Sequence, residues 1–503
     1  MSVELLYFSS FLAYNHTHKI KARTVNMITL KINTKEKHEI SPYLYMQFME
    51  PLGVCDSSVD AAWDFTENCW YPKVIDKVKE LSPTMVRFGG CFASYYRWRE
   101  GIGPFEKRTP MVNYCWGGIY QNQVGTHEIV DFCKRIDAEP LLVVNMESDG
   151  RMHWANPKNG TCRLGSAKEA AEWVSYCNDT EHPLRAANGS EQPFNIKYWQ
   201  IGNETSYDEK GYSSDLGVDA TKRFIEAMRD ADPSIKLIGW GDTIISKDKT
   251  WCKKMSAVDG LDLIAFHHHF GSGLPDSPLV GTRYRADPDY TWKHMMNAYR
   301  SLEDHIAEMR SESGGRRLAM TEGHYGIPGR NRNEVLSSWM AGVSYARCLN
   351  VIMRNSDIID IATMADFFGN VWQVNALMIP TPITNGEPYF QPVGAVMSLF
   401  SHHQGKKALD ISYSGAIDAV ASKTGDTVFV HIANTDMHYA QQIDLDLGTS
   451  LTSEAKMYYI AADPTCEINP SDRHCHAVRE AVIEGGRFTL PAAAVASIEI
   501  KLA

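Results

Sequence analysis

The chain has 503 residues, a formal net charge of −11 and 44% hydrophobic residues, which supports large packed cores in about two or three domains. The acidic balance comes without any long basic run, which argues against a nucleic-acid partner, and no apolar run reaches the length of about 18 residues that a membrane span needs. Its 11 cysteines are odd in number, scattered and without a CxxC pair, so a disulfide scaffold is not expected and reduced thiols in a cytoplasm are the simpler reading.

Leu5 to Tyr14 is an apolar stretch like the core of a signal peptide, but only Glu4 among charged residues precedes it and no clean small-residue cleavage site follows. MITLKI, from Met27, reads as a natural strand start. We therefore set residues 1–27 apart as an N-terminal extension, with a true signal peptide as the alternative and secretion left open. From about residue 43, apolar runs alternate with amphipathic ones. Tyr43–Met49, Thr84–Gly90, Pro140–Met146, Lys197–Glu204, Lys236–Asp242, Leu261–Phe270, Arg317–Tyr325 and Ile358–Phe367 read as strands. Helices are expected at Pro72–Leu81, opened by proline, at Gly125–Ile136, and at Ser166–Asn178, where Ser166 and Glu169 suit a cap. Others are expected around Ala220–Arg229, at Trp292–Arg310 and at Glu334–Arg354. Eight strands alternating with helices imply an α/β fold, a (β/α)₈ TIM barrel over 43–383. The competitor, an open doubly wound sheet, would carry a Gly-rich phosphate loop after its first strand, and none is present. After residue 384, Ala419–Ala433, Ala455–Ile460 and Arg487–Ile500 read as short strands with turn signals, a C-terminal β-sandwich over 384–503. Residues 28–42 are expected to lend it a strand.

Active sites of such barrels lie at the C-terminal ends of the strands, so the polar residues that close each apolar run are the candidates. Strand one ends in Gln47 and Glu50, and strand two holds Arg87 and ends in Cys91. Strand three ends in Asn145 and Glu147, and strand four in Asn203 and Glu204. Strand six ends in His267, His268 and His269, and strand seven in Glu322, His324 and Tyr325. Glu204 and Glu322, from opposite staves, suit glycoside hydrolysis, in which one carboxyl protonates the leaving oxygen and the other attacks the anomeric carbon. Arg87 is the candidate to keep the nucleophile ionised, a role compatible with a salt bridge inside the barrel. Glu147 is the rival nucleophile.

WQIGNE (199–204) resembles the strand-four Asn-Glu signature of the clan A barrel glycosidases. YMQFMEPLG (45–53), VRFGGCFASYYRWREGIGP (86–104), WGGIYQNQVGTHEIVDFC (116–133) and AEPLLVVN (138–145) resemble glycoside hydrolase family 51, the α-L-arabinofuranosidases. The resemblance covers about residues 28–500 in layout, and WREGIGP followed by a Gly-Thr-His-Glu helix start is its most specific part. It implies a double-displacement mechanism that releases terminal arabinofuranosyl residues from plant polysaccharides or oligosaccharides, without a cofactor, and it suggests a homo-oligomer. By position, Glu204 resembles the acid/base, Asn203 its partner that bonds the sugar 2-OH, and Glu322 the nucleophile. Glu50 resembles the strand-one sugar-binding carboxylate, Cys91 a subsite residue, and His267 the strand-six histidine near the nucleophile.

Several positions depart from the family. His269 stands where a Tyr is usual, and Thr321-Glu322-Gly323-His324 replaces an Asp-Glu-Trp segment. Phe88 stands where a Pro precedes Gly-Gly, and the last-strand Gln is replaced near Trp372, with Gln373 adjacent. The mechanism is thus a firmer expectation than the sugar. His269, Tyr325, Trp372 and Gln373 complete the expected substrate-binding set. Asp366 is a further substrate-contact candidate against a rim salt bridge. Trp98, Trp116 and Trp372 are each either cleft walls or core. His267 and His269 share a strand face, and two histidines are too few for a zinc site without a carboxylate beside them, so no metal is expected. His402 and His403 read as loop. The competing functions are another clan A glycosidase, such as an endo-β-glycanase or a galactofuranosidase, and a non-catalytic carbohydrate-binding protein.

Overall fold

The computed structural model describes residues 27–155, 162–208, 211–271, 279–326, 333–448, 455–469 and 476–502. The expectation for residues 1–26 lies outside them. Eight parallel strands, Gln47–Met49, Met85–Phe88, Glu139–Val144, Tyr198–Ile201, Lys236–Trp240, Leu263–Phe270, Arg317–Tyr325 and Ile359–Ala362, neighbour one another in chain order. The first and last staves meet where Tyr43 bridges Ile361 and the Met46 N–H donates to the Ala362 carbonyl at 2.9 Å, closing the barrel.

Side-chain alternation along the strands builds two concentric cores. Met46, Met85, Leu141, Val143, Ile238, Trp240, Ala265, Ala319 and Ile361 point inward and plug the barrel. The alternate residues, such as Val86, Leu142, Trp199, Ile264 and Leu318, point outward against the helices. Helix Pro72–Leu81 presents Val74, Ile75, Val78 and Leu81 to that layer and stops at Ser82, whose φ of 57° is left-handed. Helix Ala167–Asn178 starts where the Ser166 hydroxyl accepts the Glu169 N–H at 3.1 Å, one of the orphan donors of a helix start.

Two elements differ from expectation. The eighth stave ends at Ala362. The chain turns through Thr363–Ala365, and Asp366–Gly369 forms a separate short strand, parallel to stave one through Asp366 and Phe48. Past residue 384 the chain does not go straight into strands. Pro392–Ser401 is a helix, buried nearly all round, and so carries no amphipathic period to read. It packs on helices Pro72–Leu81 and Trp339–Arg354, among the barrel's outer helices.

The second sheet has nine strands in the order Arg479–Ile483, Ala455–Ile460, Val495–Lys501, Thr427–Asn434, Ile417–Thr424, Lys407–Ser412, Ile28–Glu39, Gln441–Asp446 and Arg487–Leu490. Strand Ile28–Glu39 runs parallel to Gln441–Asp446 and antiparallel to Lys407–Ser412. The sheet folds over its own apolar face. Leu30, Ile32, Val430, Ile443, Ile483, Leu490 and Ile498, from its centre and both edges, form one core. Asp418 pins this β-sandwich to the barrel, accepting from Asn350 at 2.9 Å and Arg354 at 3.0 Å.

Candidate active site

Glu50, Cys91, Trp116, Glu204, Tyr207, His269, Glu322, His324, Asp366 and Trp372 line a cleft of about 330 Å³ at the C-terminal ends of the staves. Two larger hollows, of about 780 and 470 Å³, lie at the opposite end of the barrel, where the acids of the second are ion-paired, Asp262 with Lys236 and Asp360 with Arg317.

Glu204 and Glu322 face each other. Ligand atoms of Glu204, His269 and Glu322 lie within 4.8 Å of one another. The staves fix this approach through Arg87, which is fully buried. Its Nη1 donates to Glu322 Oε1 at 2.9 Å, its Nη2 to Asn203 Oδ1 at 2.6 Å, and its Nε to Gln200 Oε1 at 3.0 Å. A guanidinium buried without partners would cost several kcal/mol, so these bonds tie staves two, four and seven into one register. Glu50 lies against the turn after stave two, accepting the Phe92 N–H at 3.1 Å. Gly90 makes this possible, since a Cβ there would sit 2.3 Å from the Glu50 carboxyl carbon.

Glu204 has a left-handed φ of 52°, a conformation worth about 1–3 kcal/mol of strain in a non-glycine residue. Two buried residues of the loop after stave three hold it. Arg151 donates to the Glu204 carbonyl at 2.9 Å and to the Asn203 carbonyl at 3.3 Å. Asp149 accepts the Asn203 N–H at 2.9 Å and the Thr205 hydroxyl at 3.0 Å. Hydrogen bonds to charged groups contribute about 1.5–3 kcal/mol each, enough to offset the strain. The Cys91 thiol donates to Glu204 Oε2 at 3.6 Å.

His267 lies between the carboxylates, with Nδ1 3.1 Å from Glu204 Oε1 and 3.5 Å from Glu322 Oε2, and Nε2 3.0 Å from Thr321 Oγ1. Its own backbone N–H donates to Asp242 at 3.1 Å, and Asp242 is held in turn by His305 at 3.1 Å and by the Tyr207 hydroxyl at 2.5 Å. Burial pushes the Glu204 carboxyl up, but the His267 hydrogen bond and the charges of Arg151 and, in their protonated forms, His267 and His269 outweigh it and hold it at about 2. Burial raises Glu322, and the Glu204 charge raises it further, against His267 and Arg87. Burial also pushes His269 down to about 4 and lowers His324, so both rings are neutral at pH 7. Their centroids lie 4.7 Å apart. Glu204, His269 and Glu322 are the group among the described residues that could hold a metal ion.

Several expected residues lie elsewhere. Tyr325 is one step out of phase with Glu322 and His324, so it points away from the cleft. Its ring packs on Phe270 and Tyr345, and its hydroxyl bonds Ser344 at 2.5 Å. Gln373 is not in the cleft wall, although its neighbour Trp372 is, edge-on to Trp116 at 5.4 Å. Trp98 is core, stacked on Trp173 at 6.0 Å. Glu147 is outside the cleft, bound to Tyr212 and to Arg223 at 2.8 Å. His403 pairs with Glu499 of the sandwich at 2.9 Å, and His402 bonds the Ser398 carbonyl at 2.8 Å. The reading missed Gln200, Asp149, Arg151 and Asp242. Gln200 had a signal, a polar residue between the outward Trp199 and Ile201. Asp149 and Arg151 had none, since their loop runs through left-handed φ values at Glu147, Ser148 and Asp149.

Comparison with known proteins gives a consistent result. Residues 77–272 match the model of the α-L-arabinofuranosidase 1 domain, and residues 325–493 that of the α-L-arabinofuranosidase C-terminal domain. Glu322 falls between the two segments. The chain is 25% identical over 549 aligned positions to an intracellular exo-α-L-arabinofuranosidase of Bacteroides ovatus, covering 100% of both chains. It is 31% identical over 260 positions to an intracellular exo-α-(1→5)-L-arabinofuranosidase of Acetivibrio thermocellus, covering 48% of this chain and 47% of that one. Among solved structures, the family 51 arabinofuranosidase of Xanthomonas axonopodis pv. citri superposes with a TM-score of 0.77 at 19% identity, over 94% of this chain and 100% of that one. The Thermotoga maritima enzyme in complex with arabinose gives 0.73 at 22% identity over the same shares.

Proposed function

Since this chain belongs to glycoside hydrolase family 51, the α-L-arabinofuranosidases, we propose that it releases terminal α-L-arabinofuranosyl residues from plant polysaccharides or oligosaccharides by double displacement, with Glu322 as nucleophile and Glu204 as acid/base. The observation that carries this reading is that an oxygen of Glu204 and an oxygen of Glu322 lie within 4.8 Å of each other. Retaining enzymes hold the pair roughly 5–5.5 Å apart, whereas inverting ones leave roughly 6.5–9.5 Å for a water between them. The chemistry needs no metal and no cofactor.

Arg87 and Glu322 form a charge-assisted bond, so one carboxylate oxygen is held while the other can attack the anomeric carbon. Glu204 must give a proton to the departing oxygen, then take one from water in the second half of the cycle. His267 suits both states. With Nδ1–H donating, it supports ionised Glu204 while the Thr321 hydroxyl donates to Nε2. With the other tautomer, Nδ1 accepts from protonated Glu204 and Nε2–H donates to Thr321. An ionised Glu204, held low by His267 and Arg151, suits the step that activates water. Once Glu322 is esterified its charge is gone, which leaves burial as the influence that favours a proton on Glu204, against His267 and Arg151.

We place the protein inside the cell, like the relatives whose names say intracellular. No helix among the described residues is long and apolar enough to cross a membrane, and the described cysteines form no disulfide.

The test is hydrolysis by the full chain of p-nitrophenyl α-L-arabinofuranoside against the β-D-galactofuranoside and β-D-xyloside. We expect kcat/KM to favour the arabinofuranoside by at least about tenfold, the scale of one pocket-wall mismatch. Release from another glycoside only would move the assignment to a different glycosidase of the clan, and release from none would overturn it.

A further inference from the structure

Asp366 stands outside the machinery described above, and it is an unusual group to find in a sugar cleft. It is 5% exposed and lines the cleft, yet its Oδ1 has no hydrogen-bond partner. Burial, and after it the negative charge of Asp56, push the carboxyl up to about 8. It is therefore a neutral acid at pH 7, with one O–H to donate. Beside it in the cleft wall stands His324. The Nδ1 of that ring lies 3.0 Å from the Tyr325 carbonyl. A carbonyl only accepts, so the ring hydrogen is on Nδ1 and the Nε2 of the neutral ring is a bare acceptor. This Nε2 is 3.7 Å from Asp366 Oδ1, too long for a direct bond and spaced to leave one oxygen within reach of both. A buried Asp366 Oδ1 without a partner is costly. A hydroxyl, which both accepts and donates, satisfies the two together.

We propose that Asp366 and His324 form a hydroxyl-recognition site in which one non-reacting hydroxyl of the furanose accepts from Asp366 Oδ1 and donates to His324 Nε2. The inference rests on the hydrolase reading above and narrows its substrate class to neutral, fully hydroxylated furanosides. A deoxy sugar leaves both groups unmatched. An amino sugar, protonated at neutral pH, has no lone pair for the Asp366 donor. A uronic acid presents an acceptor to His324 Nε2, which is itself an acceptor. The neutral His269 ring packs against the outer side of His324 and keeps it in place.

The experiment compares kcat/KM for p-nitrophenyl α-L-arabinofuranoside with its 3-deoxy and 5-deoxy analogues in the wild-type chain and in Asp366→Ala, Asp366→Asn and His324→Ala. The wild type should reject one of the two analogues by at least about 100-fold, as sites built around a hydroxyl do. Asp366→Ala and His324→Ala should each lower the parent rate and bring that same ratio to within about tenfold. Asp366→Asn keeps a donor in place and should hold the ratio within about tenfold of wild type. A purely structural role would lower the rates on parent and analogues alike and leave the ratios unchanged. That result, or an unselective wild type that cleaves the parent well, overturns the proposal and spares the hydrolase reading. No cleavage of the parent by the wild type removes both.

Discussion

Glu322→Ala lowers kcat on p-nitrophenyl α-L-arabinofuranoside by at least about 10⁴-fold, the scale on which removal of a nucleophile acts, and azide restores turnover. The reasoning is geometric. With the carboxylate gone, the space beside Arg87 opens on the face of the sugar opposite the leaving group, and azide, a small anion, enters where a negative charge was hydrogen-bonded. It attacks once, with no second displacement, so the product is the inverted β-L-arabinofuranosyl azide. The steady-state rate and the configuration of the azide by proton NMR check this together. An unchanged rate, or a retained azide, would remove Glu322 from the role.

Glu204→Ala gives a different pattern. General acid help contributes about 10²–10⁴-fold, and it matters only when the leaving group is poor. On arabino-oligosaccharides kcat/KM should fall by about 10³-fold or more. On a 2,4-dinitrophenyl arabinofuranoside the first step should be nearly unaffected while the second, now without a base, becomes limiting, so KM falls with kcat. Azide again accelerates turnover, but here it attacks the covalent intermediate and yields the retained α-azide. Opposite azide anomers from the two variants separate the two roles in a way that loss of folding cannot imitate. Equal losses on good and poor leaving groups would speak against Glu204 as the acid.

How legible the site was depends on which physical signal placed each residue. Staves with strong apolar alternation could be read almost to the residue, as at Arg317–Tyr325, and Glu204 and Glu322 followed from the rule that barrel chemistry sits at C-terminal stave ends. The same alternation already put Tyr325 on the wrong face, since it is three residues from Glu322 and adjacent to His324. The eighth stave was harder. Ile358–Phe367 carries Asp360, Thr363 and Asp366 among its apolar residues and reads as one strand, and nothing in that run marks the turn at Thr363–Ala365 that sends Asp366 to the cleft beside stave one. Helix Pro392–Ser401 was hidden for another reason: a segment buried nearly all round has no amphipathic period. The Asp149 and Arg151 clamp on Glu204 depends on a loop of consecutive left-handed residues, whose path is set by tertiary contacts rather than by local pattern. The family resemblance placed the reacting groups, while the departures at His269 and His324 lie side by side in one wall of the cleft, which is where the narrower substrate inference arises.

The most direct test of the account is the stereochemistry of the first product. With p-nitrophenyl α-L-arabinofuranoside and methanol as acceptor, the full chain should form methyl α-L-arabinofuranoside, read by proton NMR, because two displacements at one carbon restore its configuration. Methyl β-L-arabinofuranoside as the first-formed glycoside would contradict the covalent role of Glu322 and the double displacement with it.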